Sequence, residues 1–331
     1  MLRLIRVELR RLLHRRAVLV LLAAAVLLPL AIAVGVGVDT RPPGDDEVAV
    51  ATEQLERDLD SKQTQRQLRR CIEHPQEWGI AVNLGDAELR EECEATALPQ
   101  LDWYLWFQPL DLAEQRDEGS GILVALVVAM LLMVAGTTFA GHDWSSGSVA
   151  NQVLFEPRRG RLWAAKAVAL LVTSFVAAAV VHTGYWLGLN ALADHRDQPH
   201  GGALLADCLQ FGLRAAAVAA AAAILGFALT MLFRSTVATL GIVFGVALAG
   251  GMVLAVVGVS DLWNPAFNLW AVIANGATYA VEVSCPPPSA SGELCYEDRV
   301  LSLTRGATYV GSVIVVAALG SVLSFRRRDI G

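Results

Sequence analysis

Hydrophobic and polar positions separate along this chain into long uncharged runs and densely charged stretches. Ala17 to Val38 carries no charge over 22 residues. As a helix it would extend roughly 33 Å, enough to cross a bilayer's hydrocarbon. Runs near Gly121–Ala140, Lys166–Leu192, Ala215–Phe233, Val237–Val259 and Gly306–Phe325 read the same way, which predicts about six spans. Ahead of the first, Met1 to Arg16 follows a helical period. Leu2, Ile5, Leu9, Leu12 and Leu13 fall on one side and Arg3, Arg6, Arg10, Arg11 and Arg15 on the rest. Such a helix lies in a membrane interface, and its charges also orient the span that follows. Ala31 and Ala33 after Pro29 have the form of a signal-peptide cleavage site, but the apolar run is long for that role and reads as a retained span.

The chain thus reads as an all-α integral membrane protein with an extracytoplasmic, mainly helical insertion after the first span. The pattern gives an interfacial helix over 1–16, a first span over 17–38 and an outer domain over 39–118. A second span over 119–140, a cytoplasmic loop over 141–165 and the third to fifth spans within 166–259 follow. An outer segment over 260–305, a sixth span over 306–325 and a tail over 326–331 complete it. Within the outer domain, helical patterns are expected over Asp45–Arg70 and Asp86–Ala97. Trp103, Tyr104, Trp106 and Phe107 suit an aromatic belt at a membrane surface.

Charge supports this reading. Only 18% of residues are charged, against about a quarter in a soluble domain. From Asp39 to Glu118 there are 20 acidic and 8 basic residues. Arginine and lysine in the short connections set orientation. Six arginines precede the first span, Arg158, Arg159 and Arg161 follow the second, Arg234 follows the fourth, and Arg326, Arg327 and Arg328 follow the sixth. With six spans all lie on one side, which places both termini in the cytoplasm. Cys71, Cys93, Cys285 and Cys295 then fall outside, where disulfides persist. Cys71–Cys93 and Cys285–Cys295 are the local pairings, free buried thiols being the alternative. The net charge of −6 and the lack of a basic, aromatic-interleaved stripe exclude nucleic acid as partner. The basic residues are 24 Arg and two Lys, a bias typical of a GC-rich bacterial genome.

Chemistry-bearing patterns are scarce. Neither Lys62 nor Lys166 follows a glycine, so there is no phosphate-binding P-loop. The HExxH, CxxC and G-x-S-x-G patterns are missing as well, so no catalytic site, resident cofactor or metal is expected in this chain. Ser145, Ser146 and Ser148 near His142 have no plausible oxyanion partner, and Glu91, Glu92 and His74 read as a solvated face rather than a metal site. The spans hold no central carboxylate, which argues against ion-coupled transport. His182 is the one titratable group well inside a span, expected to bond a neighbouring helix. Asp207 and Arg214 are placed to pair at the outer end of the fourth span, where Cys208 also sits. Gly241 and Gly245 are spaced for close helix packing, within the chain or across a dimer.

The loop between the second and third spans reads DWSSGSVANQVLFEPRRGRLWAAK from Asp143 to Lys166. This resembles the cytoplasmic loop of type-2 ATP-binding-cassette (ABC) exporter permeases: an acidic residue, a Gly-Thr or Gly-Ser pair, an apolar helix ending in Leu-x-x-Pro, arginines, and a lysine opening the third span. Here the places are taken by Asp143, Gly147, Ser148, Leu154, Pro157, Arg158, Arg159, Arg161 and Lys166. Asp replaces the commoner Glu, Ser the commoner Thr, and the Pro-to-Lys spacing is slightly short. Val153 and Leu154 would form the apolar side of a docking helix. The resemblance implies a dimeric exporter subunit in a bacterial cytoplasmic membrane, paired with itself or a paralogous permease. A separate subunit, itself holding ATP and Mg, would dock on the loop over 141–165, and Lys166 would snorkel at the membrane edge. It also implies re-entrant helices before the last span, which Asn264–Val281 could supply. The rival reading is a membrane-anchored sensor or accessory protein whose outer domain binds a ligand.

Overall fold

The computed structural model describes residues 1–80, 84–105, 107–257, 261–284 and 294–327. The chain forms two compact units, one of Met1–Val34 with Asp111–Gly331, the other of Gly35–Leu110. The first begins with α1 (Leu2–Leu13), which stops at His14 before α2 (Arg16–Asp39). After the insertion come α6 (Leu112–Asp117), α7 (Ser120–Ser145), α8 (Ser148–Phe155), α9 (Arg159–His195), α10 (Gly202–Phe233) and α11 (Thr236–Val257). A short α12 (Pro265–Ile273), a hairpin of β1 (Ala277–Ser284) and β2 (Leu294–Leu301), and α13 (Leu303–Arg327) complete the unit.

Among the described residues five helices are long and apolar enough to cross a membrane: Arg16–Asp39, Leu112–Ser145, Arg159–His195, Gly202–Phe233 and Leu303–Arg327. This is the architecture of a helical membrane protein. The remaining expected run forms α11, of which Thr236–Ala247 stands as a shorter apolar helix.

The central element is α10. Its buried alanines 215, 216, 219, 220, 223 and 228 let neighbours approach closely. A Cβ on Gly136 of α7 would lie 2.1 Å from the Ala223 carbonyl oxygen, so only glycine permits this crossing. Phe227 fills the space beyond, with ring centroids 6.3 Å from Phe139 and 5.4 Å from Trp163. By contrast, an ideal Cβ on Gly241 or Gly245 of α11 would meet no atom of another element within 4 Å, so among the described residues they pack against nothing.

Two expectations are corrected. The segment before the last helix is not all helical: β1 and β2 pair antiparallel from Ala277↔Leu301 to Ser284↔Leu294. Among the described residues of this segment, α-helix is confined to α12. Arg214 does not pair with Asp207; its Nε donates to the Ile273 carbonyl at 2.8 Å, while Asp207 lies 3.8 Å from Arg116. The third long helix begins at Arg159, ahead of the span expected from Lys166, because arginines carry good helix propensity and the backbone continues through them.

The second unit holds α3 (Asp45–Leu59), α4 (Lys62–Glu73) and α5 (Asp86–Ala97). Glu47 accepts from the Gly44 amide and Ser61 Oγ from the Thr64 amide, so each N-terminus carries a capping bond. A Cys71–Cys93 disulfide lies at the centre of a small core with Leu68 and Ala97, covered by Trp78 and Leu89. Of the second expected bridge, Cys295 is disulfide-bonded and Cys285 lies outside the described residues. Tyr104 donates to Asp58 at 2.5 Å, and that bond raises the phenol's pKa above its ordinary value.

Candidate functional site: a buried ion cluster beside an exposed helix

At one end of the first unit the ends of α1, α7 and α13 meet the beginnings of α2, α9 and α11, with α8 beside them. Trp144 of α7 meets Phe325 of α13 edge-on, Gly141 packs under Thr236 of α11, and α8 follows α7 directly. The charged residues are organised around Lys166. Its ammonium donates to Glu8 Oε2 at 2.8 Å and to Asp143 Oδ2 at 2.7 Å. The three side chains come from α9, α1 and α7, and are only 2%, 1% and 1% exposed. Arg15, at the junction of α1 and α2, donates to Asp143 Oδ1 at 2.5 Å and to the Phe139 carbonyl at 2.6 Å. Arg11 pairs with Glu8 at 3.2 Å, one helical turn away on α1.

The Phe139 ring completes the shell. The Arg15 guanidinium lies 4.8 Å and the Lys166 ammonium 5.0 Å from its centroid, so each cation faces a carboxylate and an aromatic face. Two carboxylates are balanced by the buried Lys166 and the half-buried Arg15, with Arg11 at the rim. Such a cluster gains little net stability, since desolvation offsets attraction; what it does strongly is penalise every arrangement in which one partner is removed.

The cluster reaches α8 through Ser148, whose hydroxyl donates to Asp143 Oδ1 at 2.9 Å, and Gln152 in turn donates to that hydroxyl at 3.1 Å. Gly147 makes the turn between α7 and α8 with φ +67°, a left-handed conformation that glycine takes at little cost. Val149 is buried, which fixes one side of α8. The helix stops at Phe155 ahead of Pro157, whose ring removes a backbone donor. On its free side Leu154 is 80% and Phe155 90% exposed.

Of the residues singled out in the loop, Asp143, Ser148 and Lys166 meet in this cluster. Leu154 is on the free side of α8, Val153 is half-buried, and Arg158, Arg159 and Arg161 sit at the start of α9. Lys166 does not snorkel: its head is drawn inward by two carboxylates. Sequence reasoning missed Phe155, Arg11, Arg15 and Glu8. The last carried a signal, being the sole acidic residue before Asp39 and sharing the apolar stripe of Ile5 and Leu12. His182 also departs from expectation. It is buried on α9, and neither ring nitrogen has a partner among the described residues.

Comparison of the chain with protein-family models, with curated proteins and with solved structures finds no match.

Proposed function

We propose that this chain is the membrane subunit of an ATP-driven exporter of the type-2 ABC permease kind. In this reading it has six spans and both ends in the cytoplasm of a bacterial cell, and α8 receives a separate ATPase subunit. The observation that carries the proposal is the exposed Leu154–Phe155 pair on a short helix that is otherwise fixed by Gly147, Val149 and the Ser148–Asp143 bond. Two large apolar side chains held rigidly on an arginine-rich face suit a partner's groove. The ion cluster supports the same reading, because a displacement of α8 would pass through Ser148 and Asp143 to Lys166 and Glu8. It would thereby move α7, α9 and α1 together. A dimer would use the open face of α11 at Gly241 and Gly245, beside an apolar groove of about 810 Å³ lined by residues such as Leu225, Val246 and Val316.

Replacing Leu154 and Phe155 by Asp tests the docking role. Each apolar group withdrawn is worth about 1.5–3 kcal/mol of burial, and each new charge resists desolvation. The double variant should insert and fold normally yet lose the copurifying ATPase. If it retains that partner and its transport, α8 is not the docking element. The separate disulfide-bonded unit with its own core favours the alternative of a ligand-binding sensor. That reading takes precedence if no ATPase copurifies with the wild-type chain.

A further inference from the structure

Four arginines surround a cavity of about 470 Å³ at the same end of the first unit. Pro157, Arg158, Arg159, Gly160 and Arg161 form one wall, and Arg326 from the far end of the chain forms the other. The walls are held in register by specific bonds. Trp163 Nε1 donates to Ser321 Oγ at 3.1 Å, and Arg159 Nη1 donates to the Phe325 carbonyl at 3.5 Å. Gly160 forms the floor: an ideal Cβ there would lie 3.8 Å from Arg326 Cδ, so the arginine stem passes over it.

Arg158, Arg161 and Arg326 make no ion pair with a carboxylate among the described residues. The nearby Glu156 accepts from the Arg158 amide at 3.3 Å and makes no ion pair among the described residues. The cavity also lies at the N-terminus of α9, a helix of 37 residues whose dipole adds positive potential there. Guanidinium forks, a helix N-terminus and a concave shape together match a phosphate group. The arginines stand at the ends of two membrane-length helices, where lipid headgroups lie.

We propose that this cavity binds the headgroup phosphate of an anionic phospholipid, one per chain. The proposal rests on the chain's insertion in a membrane and not on the exporter reading. A lipid seated here would bridge the start of α9 to the end of α13.

The test is native mass spectrometry of the full chain in neutral detergent, titrated with phosphatidylglycerol, phosphatidylcholine or inorganic phosphate. Phosphatidylglycerol should bind selectively, one per chain. Arg161→Gln with Arg326→Gln should weaken it by roughly tenfold or more, at about a factor of several per arginine near a headgroup. Removing two charges elsewhere on that face, with Arg3→Gln and Arg6→Gln, should change it by less than about twofold, well below the loss expected at the pocket. Gly160→Asp keeps every arginine, suits the first turn of a helix, and should weaken binding as well. Equal loss in the Arg3/Arg6 control would reduce the effect to general surface charge and overturn the proposal. So would phosphatidylcholine binding as tightly, or inorganic phosphate displacing the lipid at equal concentration.

Discussion

Lys166 is the residue on which the buried cluster turns, because its ammonium holds Glu8 at 2.8 Å and Asp143 at 2.7 Å, where the more exposed Arg11 reaches them only at 3.2 and 3.7 Å. Lys166→Met leaves two carboxylates in a desolvated site with only Arg15 and Arg11 to answer them, which should cost about 3–5 kcal/mol. Glu8→Gln should cost less, since the amide oxygen still accepts from Lys166 and Asp143 keeps Arg15. Replacing both Glu8 and Lys166 by apolar residues of similar size should restore much of the loss. Thermal unfolding of the purified chains in one detergent checks this order; a Lys166→Met variant that melts with the wild type would show that the cluster holds nothing together. Asp143 and Lys166 could be singled out from the loop pattern, but their relation to Glu8 could not. Glu8 lies in a basic helix whose arginines dominate the count, and a partner 158 residues away leaves no local trace.

Elements were legible where one period ruled a long stretch. The uncharged runs gave helices because 20 or so apolar residues satisfy both the bilayer and the helical backbone. The hairpin was overlooked for the opposite reason. Along Ala277–Val283, the side chains at Ala277, Tyr279 and Val281 turn inward while Thr278 and Ala280 are exposed, a period of two within a segment too short to stand out. The insertion's helices carried clear caps, and their smallness makes the Cys71–Cys93 link important, since a unit of this size buries little. Closing a loop with a separation of 22 residues is worth roughly 3 kcal/mol in the chain-entropy model. Cys71→Ser with Cys93→Ser should therefore make Gly35–Leu110 sensitive to protease at concentrations that leave the wild type intact. Equal resistance would mean that the core of Leu68, Ala97 and Trp78 suffices alone.

For the whole molecule, orientation follows from where arginine gathers. The end that carries the ion cluster also carries the arginines of α1, α9 and α13, so that end should face the cytoplasm. In a cysteine-free version, a single cysteine at Ser61 should react with an impermeant maleimide in intact cells, and one at Ser145 should not. Reaction at Ser145 with protection at Ser61 would invert the topology. The distance in sequence between Glu8 and Lys166 also sets an order of events in biogenesis. At about 5–20 residues per second, synthesis separates the appearance of the two by on the order of ten to thirty seconds. During that interval Glu8 has only its own helix neighbour Arg11 to answer it, so α1 must wait in the lipid headgroups while α2, the insertion and α7 are made. Only when α9 is inserted does the site that buries Glu8 exist, which makes the seating of α1 a late step and a checkpoint on the integration of everything before it.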